Sequence, residues 1–388
     1  MNTEYNQFKQ DLFQAYYDAR KNKRNKPSSL DFEINYERNL FELADEIWSG
    51  RYSPGASVCF IIEQPVKREI FAASFRDRIV HHLIYNYINP MLDPRFINDC
   101  YSCRIGKGTL YGIKRINHFI RSCSENYKKD CYILKLDIKG YFMSIDREIL
   151  YNKVEGLKVL ERELPPCLLI NLIKKTIFYD PAKNCRINGK KSDWAGLPKS
   201  KSLFFAAPNK GLPIGNLTSQ LFGNVYLNDF DHFIKGRLKC RYYGRYVDDI
   251  IIMHRDKEFL KSIIPEIRRY LFEKLGLNLH EKKIYLQHFS KGVKFLGAVI
   301  KPYRIYIANR TKGNFYAKIR KWNELLAAMN NKISKEQVKE IIACANSYLG
   351  LMKHYKTKKL RRKLFKSFSV YFWNYVYIEY DILKKRPC

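Results

Sequence analysis

Three aspartates stand where this sequence could do chemistry. Asp137 closes the apolar run CYILKLDI at 131–138, and Asp248 and Asp249 lie side by side in CRYYGRYVDDIIIM at 240–253. Adjacent ionised carboxylates inside an apolar hairpin are costly unless a counter-charge or a metal offsets them. Hard divalent ions such as magnesium take carboxylate oxygens and keep several of their waters. A pair of such ions about 3.5–4 Å apart clamps the attacking and leaving oxygens of an in-line displacement. Aspartates at strand ends suit this role, because a rigid sheet holds them while solvent and substrate reach them. The chemistry within reach is nucleotidyl transfer: one ion activates a 3′-hydroxyl and the other neutralises the leaving pyrophosphate. An ordinary Asp-rich turn is the other reading open at this point, since Asp is a common turn residue.

The elements that must position these residues can be read from pattern. Residues 1–50 read as helical, with a basic polar break at 21–29 (KNKRNKPSS). Residues 51–80 hold turn signals and short apolar runs that suit strands, and 79–90 (IVHHLIYNYINP) reads as a buried helix ended by Pro90. The run at 131–138 reads as a strand, and 240–253 as two short strands joined near the Asp pair. Residues 181–210, rich in Pro, Gly, Lys, Asn and Ser, read as a long loop or hairpin excursion. Beyond about 301, Phe315, Ile319, Trp322, Leu325 and Leu326 fall at helical spacing, and Ser334 with Gln337 forms a capping box. That part reads as an all-helical basic domain, with the cluster KTKKLRRK at 356–363. The expected class is α+β.

Charge narrows the partner. The 388 residues carry 71 Lys and Arg against 38 Asp and Glu, a net charge of +33. A chain this basic favours a polyanion, because neutralising phosphates releases condensed counterions. The 29 Tyr, 24 Phe and 4 Trp supply rings that stack on bases as well as fill a core. The start of the chain is polar and no run of about 20 apolar residues exists, so neither a signal peptide nor a membrane span is expected. Ten scattered cysteines include Cys100 and Cys103 as a C-x-x-C, but no second pair stands at zinc spacing. Unpaired thiols fit a reducing cytoplasm.

Around the aspartates the sequence resembles reverse transcriptases. Tyr246-Val247-Asp248-Asp249 is similar to that family's signature, and KLDIKGYF at 135–142 to its first palm motif. GLPIGNLTSQ at 211–220 resembles the template- and nucleotide-positioning motif, and LGLNLHEKK at 275–283 and VKFLG at 293–297 resemble the next two. Upstream, KREIFAASFRDR at 67–78 and SCRIGKG at 102–108 resemble the fingers motifs. The resemblance spans roughly residues 51–300 in the family's order, and several ordered motifs together are far more specific than one Asp-Asp pair.

The resemblance implies a right-hand polymerase: an N-terminal helical segment at 1–50, fingers at 51–130, a palm with an antiparallel sheet at 131–300, and a helical basic thumb at 301–388. It implies Asp137 and Asp248 as direct ligands of two Mg2+ ions (Mn2+ a possible substitute), with Asp249 and the Ile138 carbonyl supporting them. Phe142 takes the place of the steric gate against a 2′-hydroxyl. Lys67, Arg68 and Arg78 are implied in gripping the triphosphate, where Arg gives bidentate phosphate contact, and Lys283 in protonating pyrophosphate. Ile214 and Gly215 would face the nucleotide, and Gly211, Asn216, Ser219, Gln220 and Tyr246 the template and primer. The implied partners are an RNA template, a DNA primer or product and deoxynucleoside triphosphates, in a bacterial or phage-encoded cytoplasmic protein.

One departure points to a subclass. Many reverse transcriptases carry Gln before the Gly of the positioning motif, and here Ile214 precedes Gly215. The form Ile-Gly-x-x-x-Ser-Gln, with SDWAGLP at 192–198 and KSLF at 201–204, resembles the enzymes of diversity-generating retroelements. That resemblance implies error-prone copying at template adenines, mutagenic retrohoming and a small basic accessory protein, the accessory variability determinant. The alternatives are a group II intron-like, retron or phage-defence reverse transcriptase, an RNA-dependent RNA polymerase, and an RNA-binding protein on a degenerate polymerase fold.

Overall fold

The computed structural model describes residues 3–21, 23–64, 66–157 and 166–387. In chain order the elements are α1 (Thr3–Arg20), α2 (Pro27–Glu33), α3 (Tyr36–Trp48), β1 (Ser57–Ile62), β2 (Arg68–Ala72), α4 (Phe75–Leu92), α5 (Thr109–Cys123), β3 (Tyr132–Asp137), α6 (Tyr141–Ser144), α7 (Arg147–Glu155), α8 (Pro166–Phe178) and β4 (Cys185–Ile187). There follow α9 (Leu217–Tyr226), α10 (Asn228–His232), β5 (Tyr242–Tyr246), β6 (Asp249–His254), α11 (Lys257–Leu275), β7 (Tyr285–His288), β8 (Val293–Phe295), β9 (Ala298–Lys301), β10 (Arg304–Ile307), α12 (Asn309–Ala328), α13 (Lys335–Lys353), α14 (Lys358–Lys366), β11 (Val376–Glu379) and β12 (Ile382–Lys385). The class is α+β. Two compact units emerge, one of Met1–Gly112 with Leu134–Leu286, the other of Ile113–Ile133 with Gln287–Cys388. The expected boundaries at 50, 130 and 300 follow the chain linearly, whereas both units are discontinuous in sequence.

In the first unit a four-stranded sheet of order β5-β6-β3-β7 carries the aspartates. Its central strand β6 buries Ile250, Ile251, Ile252 and Met253 in succession. A strand covered on both faces needs such an unbroken apolar run. Helix α11 packs Leu260, Ile263, Ile267, Leu271 and Leu275 at three- and four-residue spacing. It ends at Gly276 (φ 59), where Leu277 N–H reaches the Leu271 carbonyl at 2.9 Å, a Schellman stop that an αL glycine permits. A second sheet, β2-β1-β4, pairs β1 antiparallel to β2 and parallel to β4. Helix α4 starts at Ser74, whose hydroxyl accepts from Asp77 N–H. It does not end at Pro90 but runs to Leu92. In the final turn a proline forfeits one backbone bond, while the buried stripe Ile84, Tyr87, Ile88, Leu92 continues past it.

The second unit is not all-helical. It holds the sheet β10-β9-β8 and a terminal hairpin β11–β12, besides α12 and the capped α13, where Ser334 and Gln337 exchange bonds as expected. The hairpin turns at Tyr380-Asp381, with φ of 46 and 64. Asn346 of α13 clamps Leu383 by two 2.8 Å backbone bonds. VYIE and ILKK are too short to stand out as strands in the sequence; they pair with each other, and Asn346 holds the second at Leu383.

Candidate active site

The Asp pair sits on a two-residue turn. Tyr246 pairs with Asp249 across the β5–β6 hairpin, leaving Val247 and Asp248 as the loop. Tight hairpins need left-handed backbone, and Val247 adopts it at φ 56. That is an outlying conformation for a β-branched residue and stores strain. Two bonds hold it: Arg245 donates to the Val247 carbonyl at 3.0 Å, and Val247 N–H donates to Ser102 Oγ at 3.3 Å. Arg245 is itself fully buried and forks onto the equally buried Asp231 at 2.6 and 2.7 Å. Tyr243 donates to the same carboxylate. A charge with no solvent access persists only when paired and hydrogen-bonded in this way.

Asp137 ends β3, the strand beside β6. Its carbonyl accepts from His280 N–H at 2.8 Å and its carboxylate from Lys283 Nζ at 2.9 Å. Lys135 Nζ lies 2.9 Å from Asp249. Burial, then the charges of Asp137 and Asp249, push the Asp248 carboxyl up to about 6. The three carboxylates therefore feel one another, and two lysines supply the positive charge around them. Among the described residues no group of three Asp, Glu, His or Cys side chains closes a cage by itself. The groups here that could hold a magnesium ion are the carboxylates of Asp137 and Asp248 and a carbonyl such as that of the buried Ile138.

Phe142 is half-buried, its ring 5.3 Å from that of Tyr141. A Cβ added at Gly223 of α9 would stand 3.4 Å from its Cε1. Phe142 and Ile214 both pack against the buried cluster Cys59, Phe71, Met143 and Leu203. Gly215 (φ 127) lets the chain pass β2, where a Cβ would come within 3.0 Å of the Phe71 carbonyl. Gly211 (φ 91) has Leu203 2.6 Å from its missing Cβ. Glycine is the residue that meets both demands.

The other residues expected at the site bond within the protein or stand exposed. Asn216 and Ser219 are buried, and Asn216 Oδ1 accepts from Ala73 N–H at 3.3 Å. Gln220 is exposed and accepts from the Cys103 thiol at 2.9 Å. Lys67 donates to the Ala195 carbonyl at 2.8 Å, and Arg78 to the Ala73 carbonyl at 3.0 Å. Arg68 is exposed at the start of β2, and Tyr246 is partly exposed beside the Asp turn. Sequence reasoning missed Lys135, Ser102, Asp231 and Arg245. An Arg two residues before the Asp turn gave no sign of being buried, since its Asp partner lies 14 positions away.

Residues 66–300 match the family described as reverse transcriptase (RNA-dependent DNA polymerase). The chain belongs to the reverse transcriptase family. Among similar proteins are YkfC of Escherichia coli (strain K12), 25% identical over 289 residues, 66% of this chain and 69% of that protein. Another is nuclear intron maturase 4, mitochondrial, of Arabidopsis thaliana, 24% identical over 191 residues, 49% of this reverse transcriptase and only 20% of the maturase. Telomerase of Candida tropicalis resembles it at a TM-score of 0.46 and 15% identity, over 66% of this chain and 56% of that one. Telomerase of Candida albicans does so at 0.47 and 11%, over 84% and 61%. No helix among the described residues is long and apolar enough to cross a membrane.

Proposed function

We propose that this RNA-directed DNA polymerase extends a DNA primer on an RNA template with two magnesium ions held by Asp137 and Asp248. Asp249 and the Ile138 carbonyl complete the protein's share of the ligands. When bound, the ions lower the barrier to attack by the 3′-hydroxyl and to departure of pyrophosphate. The chain's own residues orient and exclude. Phe142 occupies the sugar side and turns away a 2′-hydroxyl. Lys283 Nζ, 2.9 Å from Asp137, carries the proton that pyrophosphate takes. Arg68 meets the triphosphate, and the net charge of +33 holds template and primer by their phosphates. The observation that carries the reading is the placement of Asp137, at the end of β3, on the strand next to β6, whose hairpin turn bears Asp248 and Asp249.

Within the family, the apolar Ile214 supports a mutagenic polymerase of a diversity-generating retroelement, assisted by a small basic accessory protein in a bacterial or phage cytoplasm. Ile214 packs on the cluster under Phe142 and offers no hydrogen bond to a base. Pairing geometry opposite a template adenine is then less constrained. The similarity to an intron maturase favours a second reading, an intron-type enzyme that copies faithfully.

The deciding experiment extends a primed RNA with magnesium and deoxynucleotides and sequences the products, with Asp248→Asn as control. DNA from the wild type alone, with errors concentrated at template adenines that Ile214→Gln suppresses, is the expected result. Faithful DNA moves the assignment to the intron type. No DNA with the accessory protein present refutes the polymerase.

A further inference from the structure

The segment 181–210 is tied into the protein at one carboxylate. Glu69 of β2 is 1% exposed. Its Oε2 accepts from Trp194 Nε1 and from Ser202 Oγ, each at 2.7 Å, and its Oε1 accepts from Leu203 N–H at 2.6 Å. Lys67, two residues earlier, holds the Ala195 carbonyl. Three of these bonds reach β2 and the fourth the residue just before it, from four points of a loop lying more than 120 positions away. A buried carboxylate accepting three bonds is held rigidly, and losing one leaves a buried donor without a partner.

The same loop is wedged against the palm motifs. The Ser200 carbonyl lies 2.6 Å from where a Cβ of Gly140 would stand. Leu203 fills the space beside Gly211 and belongs to the cluster on which Phe142, Trp194 and Ile214 pack. Strand β2 meets Ile214 directly, through Phe71 N–H to the Ile214 carbonyl at 2.9 Å, and Leu212 N–H reaches the Phe142 carbonyl at 2.8 Å. The loop, β2 and the strip 211–216 thus form one body behind Phe142 and Ile214.

We propose that Glu69 is a positioning residue for nucleotide selection: by latching 191–205 onto β2 it fixes the separation of Phe142 and Ile214 without touching the nucleotide. This rests on the reading that those two side chains face the incoming nucleotide. The aspartates are held by other means, through β3, Arg245 and Ser102. Loosening the latch therefore changes which nucleotide is accepted more than how fast a bound one reacts.

The test is steady-state incorporation of one deoxynucleotide, and of its ribonucleotide analogue, by the full chain carrying Glu69→Gln. The amide places a donor among three donors, so at least one bond is lost. The apparent KM for deoxynucleotide should rise roughly tenfold, and discrimination against the ribonucleotide fall roughly tenfold, with kcat within about twofold. Trp194→Phe removes one donor and keeps a ring, and should move both quantities the same way by less. It decides the matter if Glu69→Gln does not fold. Unchanged KM and unchanged sugar discrimination in either folded variant, even with a lowered melting temperature, would overturn the latch and leave the polymerase reading intact. No incorporation by the wild type would overturn both.

Discussion

Asp248→Asn should abolish DNA synthesis and, in metal-free buffer at pH 8, make the protein more stable. The Asp248 carboxyl is pushed from 3.8 up to about 6, chiefly by burial and then by Asp137 and Asp249. A raised folded-state value means that the folded protein holds the proton more tightly than the unfolded chain. The stabilisation is full below about pH 4 and is lost as pH rises through about 6. The difference of about two units corresponds to at most about 3 kcal/mol, at 1.36 kcal/mol per unit. Residual solvent contact at this partly buried residue trims that figure. Asparagine keeps the shape and carries no charge, so the variant should melt a few degrees higher at pH 8 with EDTA. Below about pH 4 the two proteins should converge. Magnesium binding to the folded state should raise the wild-type midpoint with concentration, and do so less for the variant. Urea unfolding and thermal melts at pH 4, 6 and 8, with and without magnesium, measure each of these. A variant no more stable than wild type at pH 8, or a gap that does not shrink on acidification, would refute the reasoning that burial, with the charges of Asp137 and Asp249 added to it, makes an ionised Asp248 costly.

Three further outcomes follow from the same geometry. Arg245→Met leaves the fully buried Asp231 without its charge partner and should cost about 3–5 kcal/mol in urea unfolding, and a second change, Asp231→Leu, should recover part of that loss. Gly140→Ala places a methyl 2.6 Å from the Ser200 carbonyl at φ 57, and should lower stability by about 1–3 kcal/mol and deoxynucleotide incorporation with it; an unaffected enzyme would mean that the loop does not press on the first palm motif. Val247→Gly relieves the left-handed β-branched turn. It should melt no lower than the wild type, while a clear loss of stability would show that the turn is not strained.

The chemistry of this protein was legible because it lives in short contiguous strings. LKLDI and YVDD each carry a strand, its end and its aspartate within a few residues, and periodicity two and turn chemistry are local properties. The helices of 1–50 and the Ser334 capping box were legible for the same reason: the bonds that define them close within four residues. What the tertiary structure decided were long-range contacts that no local pattern encodes. Lys67 and Arg78, which by sequence could as well grip phosphate, donate to backbone carbonyls. Asn216 and Ser219 turn inward. Arg245, to the eye one more cation among 71, is buried against Asp231 under the turn that bears Asp248 and Asp249. Glu69 and the loop 181–210 look like a surface charge and a polar excursion, and become a buried junction when the chain brings Trp194, Ser202 and Leu203 to one carboxylate. A side chain's donors and acceptors are set by its type; their partners are set by which distant segment burial places beside it.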